Sequence, residues 1–384
     1  MAAFRLDAEH VAFQERVRRV ALDHLLPLVG TETGRVNRDL VVELGRQGLI
    51  RALFGATGGA VTDAAAMQLC LLRESVAQVS GAAETALALQ GLGSYPIVQS
   101  GSAELRERWM PGVVAGDVVA AFALSEPGAG SDAAALALRA ERDGTGWRLT
   151  GEKTWISNAP DADVYTVFAR TTPDTRARGV TAFAVPGDAP GLSGGEPLEM
   201  ISPHPIGHLV FDGVYVEDGD RLGELDRGFA VAMRTLDLFR PSVGAFAVGM
   251  AQAALDATVE HVRTRHVYGA PLAQQQAVAH RVADMATQLE AARLLVYAAA
   301  GAYDAGDDPA GVTRRAAMAK LYATEAAQSI IDDAVQLHGA RALRRGHLLE
   351  HLYRDVRSLR IYEGASEVQR SIIARETIGR GAPS

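Results

Sequence analysis

Cysteine occurs once in this chain, at Cys70. That count excludes an intrachain disulfide and a Cys-rich zinc site, and the expected place for Cys70 is a small buried apolar position. No run of about 18 uninterrupted apolar residues occurs, so no membrane span is expected. The N-terminus from Met1 to His10 has early acids, Asp7 and Glu9, and no apolar core of signal-peptide length. Excess positive charge is also missing: the formal net charge is -8, which argues against a general affinity for nucleic acid. No H-E-x-x-H, C-x-x-C, Walker loop or G-x-S-x-G elbow is found, so neither metal chemistry nor a serine nucleophile is supported. The expectation is a soluble protein of a reducing compartment, the cytoplasm.

What is present is ordinary in amount and informative in order. With 384 residues, 48% of them apolar and 22% charged, the chain is a globular protein of two or three domains. From Val11 to about Gly116 the pattern is helical, with Val17, Val20, Ala21 and Leu25 spaced as one buried helix face. Helical segments are expected near Asn37–Gly48 and Asp63–Val79, and Ala82–Ala88 leads into Gln90–Pro96. The texture then turns to strands: Val118–Leu124, Trp147–Gly151 after the turn Asp143–Gly146, Val164–Ala169, Val180–Val185 and Leu209–Val216. Helices return from Gly228. Val282, Met285, Leu289, Ala292, Val296 and Ala299 alternate steps of three and four, a stripe one face wide, and Ala316–Asp333 is a further long helix. The fold class is therefore mostly α with a middle β-domain, divided as 1–117, 118–222 and 223–384.

Five stretches could carry chemistry. In Leu359–Arg370, Glu363 follows bulky residues and immediately precedes Gly364, which can take backbone angles closed to other residues. A carboxylate at such a bend, with apolar neighbours to raise its pKa, suits a general base; a surface glutamate is the plainer alternative. Phe122–Asp132 places glycines and small hydroxyls after a strand, exposing N–H groups to an anionic or polar cofactor, or forming a simple glycine-rich turn. Trp155 and Ser157 lie on a strand where an indole could wall a flat aromatic cofactor, although a core tryptophan is commoner. Arg265, with Gln276 beyond it, could meet a phosphate or be an exposed helix-end arginine. Gln336 to Gly339 precedes a basic stretch, Arg341 to Arg345, which reads as a solvated or subunit-facing charge run, and His338 reads as a structural histidine.

Together these stretches resemble the acyl-CoA dehydrogenase family of flavoproteins, in order and over nearly the whole chain. Leu44–Leu49 resembles the end of an N-terminal helix in that family. Leu124–Asp132 resembles its first signature, and Tyr353–Asp355 through Ile373–Glu376 its second. The resemblance implies a helical N-terminal domain, a middle β-barrel and a C-terminal four-helix bundle, with FAD bound between barrel, bundle and a neighbouring subunit of a homotetramer. It implies that Phe122, Leu124 and Ser125 lie along the flavin ring, that Gly130 and Ser131 sit near flavin and thioester, and that Trp155 and Ser157 cover the ring edge. Arg265, Gln276, Gln336 and Gly339 would serve the pyrophosphate and adenosine side. Asp237, Arg240 and Gly364 would lie near the acyl-CoA.

The implied reaction is α,β-dehydrogenation of an acyl-CoA to the trans-2-enoyl thioester. Glu363 would take the α-proton, flavin N5 the β-hydride, and an electron-transfer flavoprotein the electrons. The enolate would be stabilised by the Glu363 N–H and a ribityl hydroxyl. Some members carry the base beside the residue matching Arg240, but Phe239 stands there and cannot take a proton. The chain departs from the family at Ala365, where threonine is usual, and at Ala340 and Ala342, where glycines are usual. It departs also at Ser202–Pro205 and at Tyr268, where phenylalanine is customary. Members of the same fold with other chemistry remain alternatives: an acyl-CoA oxidase, a monooxygenase, an enzyme of carrier-protein thioesters, or a nucleic-acid-binding or non-catalytic relative.

Overall fold

The computed structural model describes residues 6–30, 34–57 and 60–379. Met1–Arg5, part of the N-terminal stretch considered above, lie outside the described residues. Ten α-helices are found among the described residues: α1 (Ala8–Val20), α2 (Arg38–Arg46), α3 (Ala66–Ala77), α4 (Gly81–Ser100), α5 (Ala103–Ala115), α6 (Gly228–Thr264), α7 (Gln276–Asp304), α8 (Pro309–His338), α9 (Leu348–Val356) and α10 (Ser366–Ile378). Their ends follow local chemistry. Asp7 caps α1 by accepting from the His10 N–H at 2.8 Å, Asn37 caps α2 through the Leu40 N–H, and α5 stops at Gly116 in the left-handed region. Asp308 caps α8 and Pro309 takes its first position, where no N–H is needed.

The chain forms two compact units. One comprises Met1–Leu22, Ala65–Glu84 and Asp237–Ser384; the other comprises Asp23–Ala64 and Thr85–Leu236. In the first, the expected stripe on α7 is real: Met285, Leu289, Ala292, Val296 and Ala299 are buried, and Val282 is half-buried. The facing side of α8 is built of small residues, with Ala316, Ala319, Ala323 and Ala327 all buried. Cys70 is fully buried in α3, and burial pushes its thiol up. Helix α6 is long and apolar enough to cross a membrane, but 72% of its apolar window is buried inside the fold. It serves as a core helix here.

The second unit holds a short hairpin, β1 (Gly55–Thr57) and β2 (Ala60–Thr62), and an eight-stranded sheet. The sheet strands are β3 (Ala120–Ala123), β4 (Arg139–Asp143), β5 (Gly146–Ser157), β6 (Val164–Arg170), β7 (Val180–Pro186), β8 (Leu192–Gly194), β9 (Ile206–Glu217) and β10 (Arg221–Leu222). They are ordered β10-β7-β6-β4-β5-β9-β8, with β3 parallel to β6. Strands β6 and β7 are buried along almost their whole length, which is why they read as unbroken apolar runs. The expected hairpin after Asp143 is present, but its second arm extends to Ser157, beyond Gly151. The glycines and Pro96 after Ala88 do not end α4. Gly93 is needed for close approach, since a Cβ there would lie 2.5 Å from the Ala121 nitrogen.

Candidate active site

In the Asp237–Ser384 unit the chain leaves a short 3-10 turn at Ser358–Arg360 and reverses before α10. Glu363 and Gly364 both take left-handed backbone angles, with φ of 52° and 94°. Such a conformation costs a non-glycine residue about 1–2 kcal/mol, so something must hold it. The Lys320 ammonium on α8 donates to the Gly364 carbonyl at 2.8 Å. The Gln369 amide on α10 donates to the same carbonyl at 2.9 Å and to that of Glu363 at 3.3 Å. Ser366 and Arg360 both bond the Glu325 carboxylate, at 2.7 and 2.8 Å, and tie the two ends of the reversal together.

Oε2 of Glu363 is buried and has no hydrogen-bond partner. Burial pushes the carboxyl above its ordinary range, opposed by the positive charges of Arg73, Lys320 and Arg240. Burial also pushes the Lys320 ammonium down to about 8, with Glu363 opposing. The result is a carboxylate placed among cations, poised to accept a proton.

Gly364 cannot be replaced freely. A Cβ would lie 2.4 Å from the Gln369 amide nitrogen, and the left-handed angle would be strained. Gly364→Ala is expected to cost roughly 1–3 kcal/mol and to lower turnover by displacing Gln369. Thermal unfolding checks this; a melting temperature equal to that of the parent protein would refute it.

Asp237 and Arg240, one turn apart on α6, form an ion pair at 2.9 Å, and Thr313 donates to Asp237 at 3.2 Å. Arg240 is 6% exposed, and its Nε is buried without a partner. Phe239 beside it is fully buried. Arg265, Gln276, Gln336 and Gly339 gather at one end of the same unit, because His261 stacks on His338 at 4.1 Å and Arg281 pairs with Asp333 at 3.3 Å. All four are exposed. Gln336 lies beyond Lys320 by about 24 Å along α8, at 1.5 Å per residue. Ala365 occupies the cap position of α10 and offers it no side-chain bond, so the usual hydroxyl is missing there. Ala342 is fully buried, whereas Ala340 is exposed.

In the sheet unit, β5 slips its pairing with β9 between Lys153 and Ile156. Trp155 sits in that bulge with φ of 59° and is 55% exposed. The core reading of this tryptophan is therefore wrong: a bulge turns its side chain outward. Ser157 shares a hydrogen bond with His204 Nε2 at 2.8 Å, so the divergent Ser202–Pro205 segment supports it. Phe122 packs on Phe168 at 4.9 Å. The segment after β3 is fixed by a buried ion pair. Lys153 donates to Glu126 at 2.8 Å and to the Leu124 carbonyl at 2.9 Å, and Glu126 accepts the N–H groups of Ala137 and Leu138. The Ser125 carbonyl accepts the Thr154 N–H at 3.0 Å. Gly128 and Gly130 have open space where a Cβ would lie, and Gly130 and Ser131 are exposed.

Sequence reasoning singled out Glu363 but missed Arg73, Lys320, Gln369 and the Glu126–Lys153 pair. The signal for two of them was charge inside apolar helix patterns: Arg73 in Leu69–Ala77 and Lys320 in the alanine face of α8.

Comparison with known proteins agrees along the length of the chain. Residues 7–117, 121–214 and 226–378 match the family profiles described as acyl-CoA dehydrogenase N-terminal, middle and C-terminal domains. The chain is 36% identical to cyclohexane-1-carbonyl-CoA dehydrogenase of Geobacter metallireducens over 372 residues, which is 96% of this chain and 97% of the relative. It superposes on butyryl-CoA dehydrogenase from Megasphaera elsdenii with a TM-score of 0.90 at 31% identity, covering 98% of this chain and 100% of the other. The FAD complex of PigA gives a TM-score of 0.92 at 28% identity, with 99% and 100% covered. A helical start, a central sheet, C-terminal helices and these full-length matches lead to one assignment: the chain belongs to the acyl-CoA dehydrogenase family.

Proposed function

We propose that this protein is an FAD-dependent acyl-CoA dehydrogenase that forms trans-2-enoyl-CoA, with Glu363 as the base. The observation that carries the proposal is the Glu363 carboxylate, half-buried, unpartnered at Oε2 and held in a left-handed turn by Lys320 and Gln369. Desolvation raises its proton affinity, and the surrounding cations keep its ionised form accessible. The Glu363 N–H is the donor this chain offers to the thioester oxygen. Asp237, Arg240 and Gly364 line the acyl-CoA side of this reading.

The residues present fit a flavin. Trp155 is an aromatic plate held outward at a bulge, and Phe122, Leu124, Ser125, Gly130, Ser131 and Ser157 would hold the ring with it. The open space above Gly128 and Gly130 leaves their backbone approachable. Arg265, Gln276, Gln336 and Gly339 would hold the pyrophosphate and adenosine. Bound FAD would supply the two-electron acceptor for the β-hydrogen. Sharing of the site with a second copy, in a homotetramer or a homodimer, is part of this reading. An electron-transfer flavoprotein as acceptor, a cytoplasmic setting, and the division at 117 and 222 belong to the same proposal.

Anaerobic mixing of the purified protein with a panel of acyl-CoAs, following flavin absorbance, tests it. Bleaching by at least one member is expected. Bound flavin that no acyl-CoA bleaches would move the reading to carrier-protein thioesters or other chemistry, and protein without flavin would overturn it. Arg265→Ala is expected to weaken FAD binding about ten- to a hundredfold, the worth of a charge-assisted hydrogen bond. Equilibrium dialysis of the apoprotein against FAD checks this, and an unchanged Kd would remove Arg265 from the phosphate role.

A further inference from the structure

Ser157 ends β5, and its hydroxyl lies 2.8 Å from Nε2 of His204. The pair meets because the chain on both sides is held. His204 stands between Pro203 and Pro205, whose rings fix φ and keep the residue before each of them extended. The Pro205 carbonyl accepts the Asn158 N–H at 2.7 Å, and the next residue, Ile206, opens β9 opposite Ser157. Asn158 is 4% exposed, takes a left-handed φ of 66°, and donates from Nδ2 to the Ala120 carbonyl of β3 at 2.8 Å. One buried asparagine thus ties β3, the end of β5 and the Pro203–Pro205 segment together. The Ser157–His204 pair sits at that junction, half-buried, two residues beyond the exposed Trp155.

We propose that His204 is a positioning residue: its Nε2–H donates to the Ser157 oxygen and so turns the Ser157 O–H toward the flavin. The inference rests on the reading that places Ser157 at the flavin ring. A serine hydroxyl has one proton and two lone pairs, and left alone it rotates to suit its neighbours. Once a donor from the protein occupies a lone pair, the proton is left for an acceptor on the other side. The edge of an oxidised flavin offers acceptors, its ring nitrogens and carbonyl oxygens, and reduction adds electron density to them. A donor fixed there in advance favours the reduced form. The histidine that fixes it belongs to Ser202–Pro205, a segment in which this chain departs from the family pattern.

The flavin reduction potential of the holoenzyme, measured at one pH by equilibration with a reference dye, reads this without turnover. Ser157→Ala is expected to shift the redox equilibrium about three- to tenfold toward the oxidised flavin, about 15–30 mV lower for a two-electron couple. His204→Asn is expected to shift it in the same direction, because its amide overlies Nδ1 and falls short of Ser157. His204→Gln reaches the place of Nε2 and is expected to stay with the parent protein. Added to Ser157→Ala, H204N should change nothing further, because His204 acts through the hydroxyl. An H204N potential equal to that of the parent overturns the inference. So does an equal displacement in H204N and H204Q, or a further shift by H204N in the S157A background. Should H204N fail to fold, or lose FAD that S157A retains, the histidine serves its segment and not the hydroxyl, and the inference falls. An unmoved potential and an unmoved FAD Kd in S157A take Ser157 away from the ring and the inference with it. The dehydrogenase reading survives that result if an acyl-CoA still bleaches the S157A flavin, whereas parent protein without flavin overturns both.

Discussion

Glu363→Gln is expected to fold, retain FAD and lose turnover by about 10²- to 10⁴-fold, the range for removing a general base. The amide preserves volume, and the restraints on the turn bond the backbone: Lys320 and Gln369 both donate to main-chain carbonyls. Folding should therefore survive while proton abstraction fails. The substitution also removes a buried carboxylate whose Oε2 has no partner, so stability should be unchanged or slightly higher. Stopped-flow flavin bleaching measures the loss, and circular dichroism with flavin absorbance confirms the fold and cofactor content. Bleaching at more than a tenth of the parent rate would show that another group takes the proton.

The largest effect on stability is expected at Glu126, in the sheet unit. Its carboxylate accepts from Lys153 and from the N–H groups of Ala137 and Leu138. Lys153 is fully buried, and burial pushes its ammonium down to about 8 even with Glu126 beside it. Glu126→Ala leaves that ammonium with the Leu124 carbonyl as its remaining named acceptor and strands two backbone donors. Breaking one side of a buried ion pair costs about 3–5 kcal/mol. Replacing both partners, as in Glu126→Gln with Lys153→Met, should cost less than the single change, because no buried charge is then left unpaired. Urea unfolding of the three proteins decides it; a single variant within about 1 kcal/mol of the parent would mean that water reaches this pair. Since Ser125 sits between β3 and Glu126, the single variant should also bind flavin less well.

The order of helices, strands and helices was legible because periodicity is local: the α7 stripe and the unbroken runs of β6 and β7 are each read within a few turns or one strand. The Glu363–Gly364 bend was legible for the same reason, since glycine after the carboxylate marks a reversal wherever the rest of the chain lies. Trp155 was not. A tryptophan on a strand reads as core, and only the slipped pairing with the distant β9 turns it outward. The departure at Ala342 read as a lost glycine, yet packing makes that position part of the core.

By itself the sequence determined the fold class and the family and singled out Glu363 as the candidate base, because each depends on residues close together along the chain. Only the tertiary structure decided what surrounds Glu363. Arg73, Lys320 and Arg240 come from three helices, and their effect on Glu363 depends on distance and burial. Charge acts through space with a strength set by separation and by exclusion of water, and neither quantity is written in the spacing of residues.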